Sequence, residues 1–263
     1  MFGIIPLLYI SLVYQGQLVI FEIDHYNLFM KIDIENKSKL VSSVFTEVYK
    51  KYDFMNDIMS LGIHRVWKKN MIEWMNPREN DLLIDVASGT GDLARIYSEK
   101  TNAKNRIVCV EPNKNMLKMG EKKLKNYKNI SWVNAPAEKL PFKDEVFDFY
   151  SISYGIRNVS NIDLCLKEAY RVLKVGGRFM CLEFSKTENE ILSKVYKQYS
   201  KIIPVIGKYI VGNSEPYHYL IKSIENFYSQ DELLKIMKKN KFSNVEFRNL
   251  SNGISAIHSG WKI

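Results

Sequence analysis

Between residues 82 and 184, short apolar runs alternate with stretches whose apolar positions recur every three or four residues. The runs at 82–86, 106–111, 130–135, 147–152 and 178–184 read as buried strands. Amphipathic stretches at about 91–100, 113–126 and 160–173 read as the helices between them. This alternation predicts an α/β fold, a doubly wound and mostly parallel sheet covered by helices on both faces. Gly176-Gly177 predicts a turn before the run at 178–184. Farther on, a helical pattern at 230–239 precedes apolar runs at 245–250 and 254–261. These flank Ser251-Asn252-Gly253, a hairpin signal that adds a terminal antiparallel strand.

The flanks divide into three parts. Residues 36–78 predict a helical cap, with Val41, Val44, Phe45, Val48 and Tyr52 at helix spacing, a second amphipathic stretch over 64–75, and a stop at Asn76-Pro77. Residues 52–67 mix aromatic and Met side chains with Asp, Asn, Ser and His. They read either as packed helices capped by Asp53 and Asn56, or as a lid that supplies a pocket wall. Residues 186–227 are too long for a simple crossover and interleave Tyr and Ile with Lys. They read as padding helices or as a substrate-side insertion with a lipid-facing surface. Residues 1–35 form an extension, apolar over 2–14 but interrupted at Gln15-Gly16-Gln17 and without Lys or Arg before Lys31. That pattern suits neither a membrane span nor a secretory signal. A surface anchor, an extra strand or helix, and sequence upstream of a true start at Met30 are the three readings, the last being favoured. Residues 36–263 are expected to form the catalytic domain.

Composition narrows the class. With 263 residues and 46% hydrophobic content the chain can bury one substantial core. Its net charge of +9 invites an acidic partner, lipid or nucleic acid, but the lysines are dispersed without an Arg patch, which favours plain solvation. Cys109, Cys165 and Cys181 lie apart in apolar stretches and read as core thiols of a cytoplasmic protein, with no metal site expected.

The candidate chemistry centres on residues 85–93, Asp85-Val86-Ala87-Ser88-Gly89-Thr90-Gly91-Asp92-Leu93, between an apolar strand and a helix. Gly89 and Gly91 allow a sharp turn and a close ligand approach at the helix N-terminus. Glu111 ends the next strand, twenty residues after Gly91, where a carboxylate can accept hydrogen bonds from both ribose hydroxyls. A dinucleotide and S-adenosylmethionine both fit this spacing. Asp92 would oppose a pyrophosphate at the helix N-terminus, whereas Asp85 and Asp92 would suit a cationic sulfonium donor, so the methyl donor is preferred.

Two longer signatures carry a family resemblance. One is Y-D-x-M-N-x-x-[apolar]-S-x-x-x-H-x-x-W, at Tyr52, Asp53, Met55, Asn56, Met59, Ser60, His64 and Trp67. The other is R-V-[apolar]-K-x-G-G-x-[apolar]-x-x-[apolar]-E-x-S, from Arg171 to Ser185. With the glycine turn between them, and with Gly155-Ile156-Arg157-Asn158-Val159, the chain from about residue 38 onward resembles the ubiquinone/menaquinone biosynthesis C-methyltransferases. The resemblance implies a class I, seven-stranded methyltransferase fold using S-adenosylmethionine to methylate a ring carbon of a polyprenyl quinol. It places donor contacts on Thr90, Glu111, Pro136 with Ala137, and Ser153, beside Asp85, Gly89 and Gly91 of the turn. Position 111 is Glu where the family commonly has Asp, and Pro136 replaces the usual Asn or Asp, leaving only the Ala137 backbone N–H for the adenine edge. Arg157 is the candidate for stabilising a developing phenolate and orienting a water; His64 and Asp53 are candidate bases, although a lone His in a helical lid also suits a structural role. Tyr154 and Asn158 are candidates for orienting the ring. Implied partners are the quinol, peripheral contact with membrane lipid at the inner face, and a homodimer or a quinone-biosynthesis complex. No nucleic acid is expected, since residues 151–154 read Ser-Ile-Ser-Tyr where base-modifying enzymes carry other motifs. A non-catalytic scaffold and another methyl acceptor are the rival readings.

Overall fold

The computed structural model describes residues 9–14, 17–22, 37, 39, 41, 43, 44, 46, 57, 60, 62–187 and 215–263. Its elements in chain order are β1 (Tyr9–Tyr14), β2 (Gln17–Glu22), α1 (His64–Met75), β3 (Leu83–Val86), α2 (Asp92–Lys100), β4 (Ile107–Val110) and α3 (Lys114–Lys123). There follow β5 (Ile130–Val133), β6 (Phe147–Ser153), a 3-10 turn (Ile156–Asn158), α4 (Ile162–Val172) and β7 (Leu173–Phe184). The chain ends in α5 (Glu215–Glu225), α6 (Gln230–Lys239), β8 (Ser243–Leu250) and β9 (Ser255–Trp261).

A seven-stranded sheet of order β5-β4-β3-β6-β7-β9-β8 forms the centre. Its first five strands are parallel neighbours, and β9 runs antiparallel to both β7 and β8. This is the doubly wound architecture that the alternating pattern predicts, with the terminal hairpin added. Short apolar β3 and β4 are buried on both faces, as parallel strands between helices must be. Side chains alternate between two cores. Leu83 packs with Met71, Tyr97 and Met180 on one face, while Ile84 and Val86 pack with Tyr150, Leu166 and Phe179 on the other. All three cysteines are free and buried, as expected.

Some boundaries differ from the sequence pattern. The turn expected at Gly176-Gly177 is absorbed into β7, which begins at Leu173. Gly176 takes φ 81° there, and its N–H donates to the Lys262 carbonyl at 2.7 Å, so the irregularity is stitched to the end of the chain instead of breaking the strand. The first described segment is an antiparallel hairpin, β1 against β2, an outcome among those open for the extension. Of the expected cap, α1 is described in full and the described positions from 37 to 46 are helical. Asp53, Met55 and Asn56, and most of 186–227, lie outside the described residues.

One side chain ties three elements to the glycine turn. The Trp132 indole of β5 lies against Gly91, at the start of α2, and Gly120, within α3. A Cβ at Gly91 would fall 2.6 Å from Leu124 Cδ1 and 3.0 Å from Trp132 Cη2. Gly91 also takes φ 83°, so both its backbone and its surroundings require the missing side chain. Gly120→Ala is expected to force the indole aside and destabilise the fold by about 1–3 kcal/mol. A thermal melt of the variant that overlays the parent would refute that reading of the Trp132 contact.

Candidate active site

β4 and β6 flank β3 on opposite sides, and chain progression reverses between β3 and β6. Open α/β sheets form a crevice at the carboxyl ends of such strands. The residues that leave the two strands, Ala87 and Tyr154, both adopt left-handed backbone (φ 51° and 56°), a cost that non-glycine residues bear where the surrounding structure dictates it. Beside them opens a cavity of about 250 Å³ lined by Gly89, Glu111, Met116, Pro136, Ala137 and Asn158 among others.

Glu111 organises this cavity. Its Oε2 accepts the Gly89 N–H at 2.9 Å and its Oε1 accepts the Asn113 N–H at 2.9 Å. Asn134 donates to the carbonyls of Glu111 and Pro112 at 2.7 and 2.9 Å, holding the strand end from the far side. Each carboxylate oxygen retains a lone pair for a ligand hydroxyl, as recognition of a vicinal diol requires. Burial pushes Glu111 up to about 7, against the two backbone N–H groups, with the nearby Asp85 charge adding to the rise.

A narrower slot of about 10 Å³ shares Ala87 and Tyr154 with the cavity and is further lined by Lys68, Asp85, Thr90, Asp92 and Ser153. Asp85 Oδ1 accepts the Ser151 hydroxyl at 2.7 Å, but its Oδ2, like Ser153 Oγ, is buried without a hydrogen-bond partner among the described residues. Burial raises Asp85 to about 7, opposed by the Ser151 hydrogen bond and the Lys68 charge. Unsatisfied buried polar atoms are costly, and a ligand ammonium placed there would satisfy both. The site thus fits a molecule with a ribose at one end and an ammonium at the other, S-adenosylmethionine, and its buried carboxyls suit phosphate poorly.

The structure brings Asp85, Gly89, Thr90, Glu111, Pro136, Ala137 and Ser153 around these two connected spaces, with Gly91 beneath them. Asp92 is a correction. Expected to attract a cationic ligand, it accepts from Lys123 Nζ at 2.9 Å and faces Lys68 Nζ at 3.5 Å. Burial would raise its pKa, yet the two lysines hold it well below the usual carboxylate range, so its charge is matched within the protein. His64 lines neither space. It is buried with Nδ1 2.8 Å from Ser60 Oγ, and burial and Lys68 push it down to about 4, an arrangement that suits the structural reading of this histidine. Arg157, the middle residue of the 3-10 turn, does not line the cavity as expected for a group at its mouth; it lines a separate hollow of about 530 Å³. Its Nη1 donates to Glu183 Oε1 at 2.6 Å and to the Tyr154 carbonyl at 2.8 Å, so its charge is already balanced by a buried carboxylate. Lys68 and Lys123 were missed by the sequence reading. The available signal was Lys68 on the apolar face of α1, one helical turn after His64.

The fold is shared with known methyltransferases. A solved S-adenosylmethionine-dependent methyltransferase of Thermotoga maritima superposes with a TM-score of 0.60 at 20% identity, covering 85% of this chain and 100% of that one. Haemonchus contortus phosphoethanolamine N-methyltransferase 2, solved in complex with S-adenosyl-L-methionine, gives 0.57 at 14% identity over 74% of this chain and 52% of that one. The fold, with the family match over most of the chain, makes this a methyltransferase dependent on S-adenosylmethionine. The chain belongs to the ubiE/COQ5 methyltransferase family, whose model matches residues 32–262. It is 46% identical over 246 residues to the ubiquinone/menaquinone biosynthesis C-methyltransferase UbiE of Brucella suis biovar 1, covering 91% of each chain. It is 48% identical over 242 residues to the corresponding protein of Rickettsia akari, covering 89% of this chain and 97% of that one.

The buried carboxyls give donor binding a pH signature. Asp85 and Glu111 titrate near 7 when folded but at 3.8 and 4.5 when exposed. Between about pH 4 and 7 the unfolded chain therefore loses these protons first, and the two groups lower stability as pH rises. A cationic donor that needs Asp85 ionised draws off its proton, so affinity should rise from pH 5 to 8 with a net release of about one proton at pH 6. Calorimetric titration in buffers of differing ionisation enthalpy measures this; a buffer-independent heat would contradict it.

Proposed function

We propose that this protein transfers a methyl group from S-adenosylmethionine to a ring carbon of a polyprenyl hydroquinone, demethylmenaquinol or a 2-methoxy-6-polyprenyl-1,4-benzoquinol, in quinone biosynthesis. The observation that carries the reading is the pairing of the Glu111 cavity with the unsatisfied Asp85 and Ser153 atoms, in a chain whose relatives over nine-tenths of its length are named for this reaction. The bound donor supplies an electrophilic methyl on a sulfonium. A C–C bond forms to the ring carbon as the C–S bond breaks, and the ring proton is then lost. An aromatic carbon is nucleophilic enough when a neighbouring hydroxyl ionises, which makes the reduced quinol the acceptor.

The chain's own work is alignment and exclusion of water, which can supply several kcal/mol of the barrier. Tyr154, Asn158 and Val159 wall the cavity on the side away from Glu111's strand, together with Val41 from the N-terminal segment, and they offer the apolar and amide contacts a quinol ring needs. Tyr219 Oη donates to Asn158 Oδ1 at 3.1 Å and fixes that amide. For Arg157 we favour a positioning role, since through Glu183 and the Tyr154 carbonyl it holds the turn that separates donor from acceptor. Asp53 stays a candidate base by sequence alone. A polyprenyl acceptor resides in lipid, so the protein is placed peripherally at the cytoplasmic face of a membrane; no described helix is long and apolar enough to cross one.

Purified protein with labelled donor should methylate chemically reduced demethylmenaquinol or the methoxy-polyprenyl-benzoquinol, and the ratio of rates assigns the ring. Failure on both despite donor binding would reject the reading in favour of another acceptor or a scaffold role. Arg157→Lys keeps the charge but not the paired contacts to Glu183 and Tyr154, and a misplaced turn should cost kcat roughly 100-fold with donor affinity nearly unchanged. Full activity in this variant would refute the positioning role.

A further inference from the structure

Lys68 is an unusual residue to find beside a cofactor turn. It comes from α1, outside the alternating βα units, yet its side chain is only 8% exposed and lines the slot with Asp85 Oδ2 and Ser153 Oγ. An ammonium has three donors and pays heavily for burial unless anions surround it. Among the described residues, Lys68 Nζ reaches Asp92 Oδ2 at 3.5 Å, at the outer limit of a hydrogen bond. Lys68 shares Asp92 with Lys123, whose Nζ holds the other oxygen at 2.9 Å and also reaches Thr90 Oγ1 at 3.3 Å, so Asp92 keeps a cationic partner when Lys68 turns away. The slot therefore contains an under-coordinated buried cation and an under-coordinated buried carboxyl side by side. Those are complementary to the ammonium and carboxylate of an α-amino acid.

We propose that Lys68 is the carboxylate-binding residue for the methionine end of the donor, exchanging its long contact with Asp92 for the ligand carboxylate while Lys123 retains Asp92. The inference rests on the reading of this site as a sulfonium-donor site. In its present form the slot, at about 10 Å³, has room for about one water, so the exchange also opens it. By placing this cation on α1, the fold makes the helical cap part of the donor site: the helix that closes over the turn carries the charge that recognises the ligand.

The test compares equilibrium binding of S-adenosylmethionine with that of its decarboxylated analogue, which keeps the adenosine, sulfonium and amine. The parent protein should bind the carboxylated ligand roughly 10- to 100-fold more tightly, the range for one charge-assisted contact. In Lys68→Met that preference should collapse to within about threefold, through weaker binding of the carboxylated ligand and no loss for the analogue, and Lys68→Arg should restore part of it. A parent protein without preference for the carboxylate overturns the assignment, and needs no variant to fold. So does a Lys68→Met protein that keeps the preference, or one that loses both ligands equally, since a structural role would weaken them alike. If the parent binds neither ligand, the donor-site reading itself falls, a result distinct from the others.

Discussion

The Glu111 carboxylate is the joint on which the site depends. It sits at the carboxyl end of β4, is withdrawn from water, and accepts one backbone N–H from the glycine turn after β3 and another from the segment leading into α3. A buried carboxyl with only two donors is poorly compensated, and its raised pKa records the shortfall. The same shortfall makes it receptive to a ligand diol. The oxygens that tie the turn are those proposed to receive the diol, so in that reading the turn geometry and the donor pocket stand or fall together.

Around that joint the protein keeps polar groups incompletely satisfied in a graded way. Asp85 has one oxygen bonded to Ser151 and one without a partner. Ser153 has no partner for its hydroxyl among the described residues, and Lys68 has only a long one. Asp92, by contrast, is fully matched by two lysines. The contrast separates a scaffold carboxylate, which anchors the start of α2 to α1 and α3, from carboxyls that await a ligand. Packing supports the arrangement, because the Trp132 ring can approach the turn only where Gly91 and Gly120 leave room for it.

Behind the Tyr154 turn the same economy operates through a buried ion pair. Arg157 and Glu183 are both nearly inaccessible, and Glu183 additionally accepts the Phe184 N–H at 2.9 Å. Removing one partner of such a pair leaves the other charged and unsolvated, which is why it acts as a rigid brace for the Tyr154 turn. Tyr154 in turn packs on Phe184, 4.8 Å between ring centres, and its hydroxyl lies 3.3 Å from Ser255 Oγ, so the brace extends to β9. The terminal antiparallel hairpin thereby contributes to the active site without lining it.

Hydrophobic periodicity was enough to read the alternating strands and helices from β3 to β7, α6 and the terminal hairpin, because period-two and period-3.6 burial are local properties of a chain that packs helices on a sheet. The glycine turn and Glu111 were legible for the same reason, since their roles follow from short spacings along adjacent strands. What sequence could not supply were relations between elements distant in the chain. Whether Asp92 faces a ligand or two lysines depends on α1 and α3 meeting at the start of α2. Whether Arg157 points its charge at a substrate or at Glu183 depends on the register of β6 with β7. Lys68 looked like one more solvated lysine until α1 was laid over the slot. The sequence by itself determined the sheet and the donor turn; the tertiary structure decided which charges are matched within the protein and which are left for a ligand, because charge balance is set by distances that only packing defines.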